Sequence, residues 1–385
     1  MILATGHKHK IMKKNTIGIL GGGQLCQMLA EYLTKNNKIV YFIDPSDNPP
    51  ASYTSAKHIK KAYDDNAGLD ELIDKCNVIT YEFENIPLES LEYLEQKIEI
   101  VPSKFVLSIS QNRLNEKSNF IKCGIRTPKF IPYNNKLGLE EQLVSAKINL
   151  PVIIKTNRLG YDGKGQFHVN NKDEIDQIIY QLEKNIDYIV EEKISFKKEI
   201  SIVIGRNRKK EIFFFDPIEN IHKNGILDTS IFPARIDEYT KNKAIDLSKR
   251  FVREIDLTGI IAIEMFIDEN NDILFNEIAP RPHNSGHLTR ESHLLSQFGL
   301  LGKIICDERV ENPEAISTAL MKNLLGEFFI NKDHEKIISK MNKNSNYFIK
   351  MYNKNEAKIG RKMGHITVIT KDIEKTIIKI NQLID

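Results

Sequence analysis

Cysteine is scarce in this chain of 385 residues, and it is scattered. Cys26, Cys76, Cys123 and Cys306 stand far apart and form no CxxC pair. That spacing suggests neither a zinc knuckle nor a disulfide framework, and it fits a reducing cytoplasm. Long apolar runs are missing too: none approaches the ~20 residues that a membrane-spanning helix needs. The opening MILATGHKHKIMKKN is basic but lacks an apolar core, so it is not read as a secretory signal. Met12 is an alternative start, which would place residues 1–11 outside the native chain. An excess of one charge is lacking. The net charge of +3 gives no global electrostatic case for nucleic acid. Internal repeats and low-complexity linkers are absent. So is the strand–GxxxxGK[ST]–helix order of a P-loop.

What is present is globular composition, 41% hydrophobic and 28% charged, over a length that exceeds a single core. The pattern divides into residues 1–112, 113–310 and 311–385. In the first region Thr16 to Leu20 reads as a strand, GGGQL at 21–25 opens a helix through Leu33, and Ile39 to Ile43 is a second strand ending at Asp44-Pro45. This order opens a Rossmann-like unit. The turn loosely matches a dinucleotide fingerprint, with Asp44 where a ribose would be held, so a nicotinamide-dependent oxidoreductase is one rival reading. The same turn could serve a phosphate of another ligand or simply close the domain. A short helix over Leu69 to Asp74 and strands over Val78 to Tyr81 and Ile98 to Pro102 complete one doubly wound domain. Glu82-Phe83-Glu84-Asn85 then sets carboxylates at the edge of the sheet where ligands enter, or else supplies helix caps before Pro87.

The middle region carries the chemistry. The apolar run Pro151 to Ile154 ends in Lys155, and a loop with Gly160, Gly163 and Gly165 follows. Successive glycine N–H groups can cradle phosphate oxygens while a lysine supplies positive charge. Helices are expected over Arg113 to Cys123, polar on one face, over Leu139 to Ala146, and over Asn171 to Leu182 with Asn170 or Asn171 as cap. Tyr188 to Glu191 is a strand, Glu199 to Gly205 and Glu211 to Asp216 a hairpin, Asn220 to Gly225 a polar turn holding His222, and Ala244 to Ile255 a helix. Gly259 to Ile267 is an apolar strand broken by one acid, Glu264. A carboxylate in such a strand is costly unless paired or bound to a metal. The return strand starts at Ile273 and ends at Asn276-Glu277, so Glu264 and Glu277 can stand side by side. Two carboxylates and an amide oxygen suit magnesium bridging substrate phosphates. A phosphate-cradling loop and a magnesium pair in one region indicate ATP. APRPHNSGH at 279–287 follows, with a permanent cation and two histidines, as a small anionic substrate would need.

In the last region Thr318 to Leu325 is a strand or short helix, Asn346 to Tyr352 a strand, and Ile366 to Ile369 another. Lys358 to His365 is a basic glycine turn suited to a phosphate, or a plain charged hairpin. A helix runs to Leu383.

GILGGGQL at 18–25, TYEFENIP at 80–87, GYDGKGQ at 160–166, NEIAPRPHNSGH at 276–287 and GRKMGH at 360–365 resemble the N5-carboxyaminoimidazole ribonucleotide synthases, also described as the ATPase subunit of phosphoribosylaminoimidazole carboxylase. These are ATP-grasp enzymes of bacterial and fungal purine synthesis, and the resemblance runs from about residue 15 to 370. It implies an ATP-grasp fold over 113–310, preceded by a Rossmann-like domain and followed by a small C-terminal domain that completes the substrate site. ATP would meet Arg113, Lys155, the flap Gly160, Tyr161, Asp162, Gly163, Lys164, Gly165 and Gln166, then Glu191, Glu192, Lys193 and Ile194, and Glu199, His222 and Asn276. Glu264 and Glu277 would hold magnesium. The nucleotide acceptor would use Gln24 and Glu84, with its phosphate at Lys354, Arg361 and Lys362. Tyr161, Asp162, Arg281 and His283, with Lys155, would surround the reacting groups. The implied reaction makes carboxyphosphate from bicarbonate and ATP and passes its carboxyl group to 5-aminoimidazole ribonucleotide. A homodimer and a separate mutase that takes the product are implied as partners.

The chain departs from the family pattern at Cys26 and Gln27, in RESHLLSQF at 290–298, and at Lys358. Cys26 bears on how the acceptor lies near the first turn. Rival readings are another ATP-grasp ligase, using formate or a different amine, and a noncatalytic ATP-binding regulator.

Overall fold

A computed structural model describes residues 15–160, 165–331 and 333–385. Met12, the alternative start, and residues 1–11 before it lie outside them.

The first strands are β1 (Thr16–Leu20), β2 (Ile39–Ile43), β3 (Lys57–Ile59) and β4 (Val78–Tyr81). They form a parallel sheet in the order β3-β2-β1-β4. The helix Gln24–Lys35 follows β1 and buries Leu25, Cys26, Met28, Leu29 and Leu33. Cys26 is thus a core residue, and burial lifts its thiol well above its ordinary range. The strand expected over Ile98 to Pro102 is reduced to a single bridge at Ile100 beside Ile79. Two ladder bonds reach it, from Ile79 to the Glu99 carbonyl and from Val101 to the Ile79 carbonyl. Pro102 has no N–H with which to continue.

The glycine turn after β1 is occupied by the protein itself. Glu82 accepts the N–H groups of Gly23 (2.5 Å) and Cys26 (3.1 Å), and Asp44 accepts that of Gly22 (2.9 Å) and the hydroxyl of Tyr63 (2.8 Å). A pyrophosphate would need those same donors, so the turn closes the domain. Gly21 adopts φ +104°, and a Cβ there would lie 2.4 Å from Cγ of Glu82. Gly21→Ala is therefore expected to destabilise the chain by about 1–3 kcal/mol, read from urea unfolding.

A second sheet comprises β5 (Phe130–Pro132), β6 (Val152–Thr156), β7 (Gln166–Val169) and β8 (Tyr188–Glu192), antiparallel in the order β5-β8-β6-β7. Leu139, Leu143 and Ile175 from two covering helices pack on Val152, Ile154 and Val190. The helix expected over Asn171 to Leu182 is a 3-10 turn, Lys172–Glu174, followed by the helix Ile175–Gln181. Neither asparagine caps it. Asn170 and Asn171 instead donate their side-chain amides to Glu174.

The largest sheet holds β9 (Phe196–Arg206), β10 (Ile212–Phe214), β11 (Ile218–Lys223), β12 (Ile226–Phe232), β13 (Gly259–Asp268), β14 (Ile273–Ala279), β15 (Ala319–Leu325), β16 (Tyr347–Met351) and β17 (Lys362–Ile369). Its order is β14-β13-β9-β11-β12-β15-β17-β16, with β10 on β9. Phe251 and Val252 of the helix Glu238–Glu254 pack with Ile202, Ile261 and Phe275. The last region is not a detached unit. Thr229 to Phe232 of β12 pair with Lys322 to Ala319 of β15. Lys322, buried, ties the seam by donating to Asp228 at 2.9 Å and to Asn381 at 2.9 Å.

The polar turn expected at Asn220 to Gly225 is instead mostly strand. Asn220 to Lys223 belong to β11, and only Asn224 and Gly225, both at positive φ, make the turn. Asn220 can lie inside the sheet because Ser201 and Ser230 satisfy its amide.

Candidate active site

The two-stranded register of β13 and β14 sets Glu264 directly opposite Glu277, with a bulge just after Glu264. Arg113 opens the helix Arg113–Lys122 and reaches Glu277 at 2.8 Å and the Gly160 carbonyl at 3.4 Å. Burial works to raise the Glu277 carboxyl, but the adjacent Arg113 prevails and holds it down to about 2. Next to it, Asn276 has a buried side-chain oxygen with no hydrogen-bond partner. Among the described residues no three His, Cys, Asp or Glu side chains gather as a metal cage. Two facing carboxylates and an unpartnered amide oxygen nevertheless fit magnesium that takes its other ligands from phosphates and water.

Lys155 ends its β6 run by donating to Glu191 of β8 at 2.8 Å. The same Glu191 oxygen is 3.4 Å from Nζ of Lys117, which also donates to the Asn276 carbonyl at 3.2 Å. Burial would raise the Glu191 carboxyl, but Lys117 and Lys155 hold it below its ordinary value. Lys117 is fully buried, with 0% of its side chain exposed. The polar face of this helix therefore points inward. Arg113, Glu116 and Lys117, spaced to share one face, all line the floor of the site. Glu116 accepts the Ile278 N–H at 2.6 Å. Burial first, and then the Glu277 carboxylate, push it up from 4.5 to about 8 against the pull of Arg113 and Lys117. A raised acid contributes stability below its unfolded value and loses it as pH rises through the folded one. The native chain should therefore lose thermal stability relative to Glu116→Gln between pH 4.5 and about 8, as melts across that range would read.

On the opposite wall, His222 Nδ1 is hydrogen-bonded to Glu199, joining β11 to β9. Burial lowers the His222 basicity, but the Glu199 carboxylate outweighs it and the net direction is up. Gln166 pairs with Lys155 across β6 and β7, and Gly165 sits at φ +70°. Glu192 ends β8 and Lys193 follows it, fixed through backbone bonds to Lys129 and Pro151, with Ile194 half-buried beyond them. Tyr161, Asp162, Gly163 and Lys164 lie outside the described residues.

The APRPHNSGH loop leads from β14 toward the first domain. Arg281 Nε donates to Glu84 at 2.6 Å, across 197 residues of sequence. Burial would raise the Glu84 carboxyl, but Arg281 brings it below its ordinary value. His283 Nε2 is 2.9 Å from Glu264. Gln297 clamps the loop, accepting the His283 N–H at 2.9 Å and donating to its carbonyl at 2.7 Å. Lys354 donates to Gln24 at 2.7 Å and to the Lys362 carbonyl at 2.7 Å, so the first and last regions meet there. Arg361, exposed on the turn before β17, donates to the Glu356 carbonyl at 2.9 Å.

Sequence reasoning missed Glu116, Lys117 and Gln297. The first two carried a signal, charges three and four residues after Arg113. Gln297 carried none, since its role depends on a contact with a distant loop.

Three family models match in order: the ribonucleotide synthetase preATP-grasp domain over residues 12–111, the ATP-grasp domain over 118–298, and the phosphoribosylaminoimidazole carboxylase C-terminal domain over 319–379. N5-carboxyaminoimidazole ribonucleotide synthase of Staphylococcus aureus (strain COL) is 37% identical over 362 residues, 94% of each chain. The Staphylococcus haemolyticus synthase is 36% identical over 369 residues, 96% of each chain. A crystal structure of an ADP complex of N5-carboxyaminoimidazole ribonucleotide synthetase superposes with a TM-score of 0.89 at 35% identity, covering 97% of both chains. The Aspergillus clavatus synthase in complex with ADP and 5-aminoimidazole ribonucleotide gives 0.87 at 29% identity, covering 97% of this chain and 98% of the other. The chain belongs to the N5-carboxyaminoimidazole ribonucleotide synthase family of ATP-grasp ligases.

Proposed function

We infer that this chain carboxylates 5-aminoimidazole ribonucleotide with bicarbonate at the expense of ATP, yielding N5-carboxyaminoimidazole ribonucleotide, ADP and phosphate in purine synthesis. The observation that supports the reading is that Glu84 of the first domain reaches Arg281 of the loop whose His283 contacts Glu264, opposite Glu277. In this assignment a bicarbonate oxygen attacks the γ-phosphorus, ADP leaves, and the acceptor amine then takes the carboxyl group as phosphate departs. Magnesium, when bound, would supply charge neutralisation across the phosphate oxygens. Glu264 and Glu277 would hold it, with the Asn276 oxygen beside them.

Lys155 and Arg113 would turn from their carboxylate partners toward the phosphates, while buried Lys117 keeps Glu191 in place. His222 and Glu199, with Glu191 to Ile194, would bound the nucleotide. The glycine flap, including Tyr161 and Asp162, would close over the phosphates and exclude water from a labile mixed anhydride. Arg281 and His283 would place the small anion. Gln24, Glu84, Lys354, Arg361 and Lys362 would receive the ribonucleotide, and the meeting of Lys354 with Gln24 supports a phosphate site between the first and last regions.

Among the described residues no helix is long and apolar enough to cross a membrane. We place the enzyme in the cytoplasm, acting as a homodimer and handing its product to a separate mutase. The deciding experiment follows ADP release with magnesium-ATP and labelled bicarbonate, with and without the ribonucleotide. Strong stimulation with label in an acid-labile product is expected. Release indifferent to the ribonucleotide would assign a different acceptor.

A further inference from the structure

Behind His283 a file of buried polar side chains crosses the largest sheet. Ser230 on β12, Asn220 on β11, Ser201 on β9 and Ser285 on the loop are each at most 5% exposed. The file has a direction. Ser230 Oγ donates to Oδ1 of Asn220 at 2.9 Å, and Nδ2 of Asn220 donates to Oγ of Ser201 at 2.9 Å. Ser201 thereby keeps its own proton for Oγ of Ser285, 2.7 Å away. Ser285 in turn has its proton for Nδ1 of His283, at 2.8 Å. A hydroxyl has two lone pairs but one proton; with the Asn220 amide already donating to it, Ser201 Oγ can place its proton only on Ser285, and Ser285 only on His283. A weaker contact favours the same end: the backbone N–H of Ser285, a donor only, lies 3.3 Å from His283 Nδ1, too long to hold the tautomer without the file.

We propose that this file is a tautomer-setting device: it reserves Nδ1 of His283 as an acceptor, puts the ring proton on Nε2, and so makes His283 the donor that orients the Glu264 carboxylate. Ser285, Ser201 and Asn220 are positioning residues acting through His283. The carboxylate that receives this proton, 2.9 Å from Nε2, stands opposite Glu277. A histidine that donates to an acid fixes where that acid's lone pairs point, and with them the geometry available to a bound ion. The reverse tautomer would set a lone pair of Nε2 against the carboxylate oxygens and turn Glu264 away. The inference rests on the assignment of Glu264 and His283 to the reaction, but the tautomer itself does not.

The test is a long-range ¹H–¹⁵N correlation spectrum of the full-length protein labelled at histidine, with the His283 signals identified by their loss in His283→Gln. The native protein is expected to show an unprotonated Nδ1 and a protonated Nε2. Asn220→Asp supplies acceptors on both sides, draws the Ser201 proton toward itself, reverses the file and should move His283 toward the Nδ1–H form. Ser201→Ala, a smaller change that removes one link, should give mixed tautomers. Both should lower kcat by about tenfold with the KM for ATP changed less than about twofold. A native His283 protonated on Nδ1 overturns the proposal. So does a folded Ser201→Ala protein with an unaltered tautomer. A tautomer that shifts as expected with no change in kcat would uphold the device and instead remove His283 and Glu264 from the catalytic assignment.

Discussion

Glu277→Gln should lower turnover by about two to three orders of magnitude and leave the fold intact. Glutamine matches glutamate in shape and still offers an oxygen to Arg113, so the 2.8 Å contact has a substitute. What disappears is one negative charge opposite Glu264. Magnesium held by two carboxylates would then have one, and the phosphates would lose their fixed point in the cleft. Glu277 keeps 38% of its side chain exposed, so it is a wall of the cleft and not part of the core. The check is ADP release across a magnesium titration, with a thermal melt as control. A normal rate at ordinary magnesium would remove Glu277 from the metal site.

Arg281 should show a large and differently shaped loss. Its guanidinium serves Glu84 through Nε and the Pro282 carbonyl at 3.1 Å through a second nitrogen. Lysine carries the charge but not the planar fork. Arg281→Lys should lower kcat/KM for the ribonucleotide by about a hundredfold, and Arg281→Ala by more. The alanine variant also has a pH signature. With Arg281 gone, burial acts unopposed by that cation, and the Glu84 carboxyl moves up from its lowered position. If the ionised form is the working one, activity should fall at higher pH on the acid side than in the native enzyme. A pH–rate profile whose acid limb stays in place would show that Glu84 does not need this partner.

Much of the fold was legible because local chemistry agreed with the final packing. β13 and β14 are a clear instance: one acid interrupts an apolar strand and a short turn brings it level with Asn276-Glu277, while the bulge after Glu264, which no local cue announced, sets it opposite Glu277. The strand that carries Lys155 was equally readable, but the partner of its charge, Glu191 on β8, was not. Where local cues misled, a distant group had supplied what the segment lacked. Asn220 to Lys223 read as a turn because Asn220, His222 and Lys223 are polar, yet Ser201 and Ser230 satisfy Asn220 inside the sheet. The glycine turn after β1 read as a candidate dinucleotide site, yet Glu82 arrives some sixty residues later to take its donors.

The sequence by itself determined the succession of three regions, the order of most strands and helices, and the two acids on neighbouring strands. These depend on periodicity, turn chemistry and short spacings, which act between near neighbours. Only the tertiary structure decided that Arg281 faces Glu84, that Lys354 meets Gln24, that the polar face of Arg113–Lys122 is buried, and that the last region extends the central sheet. Each of these joins groups scores to hundreds of residues apart. A charge shows its partner only when packing has removed water from both, and no local pattern specifies which two will share that burial.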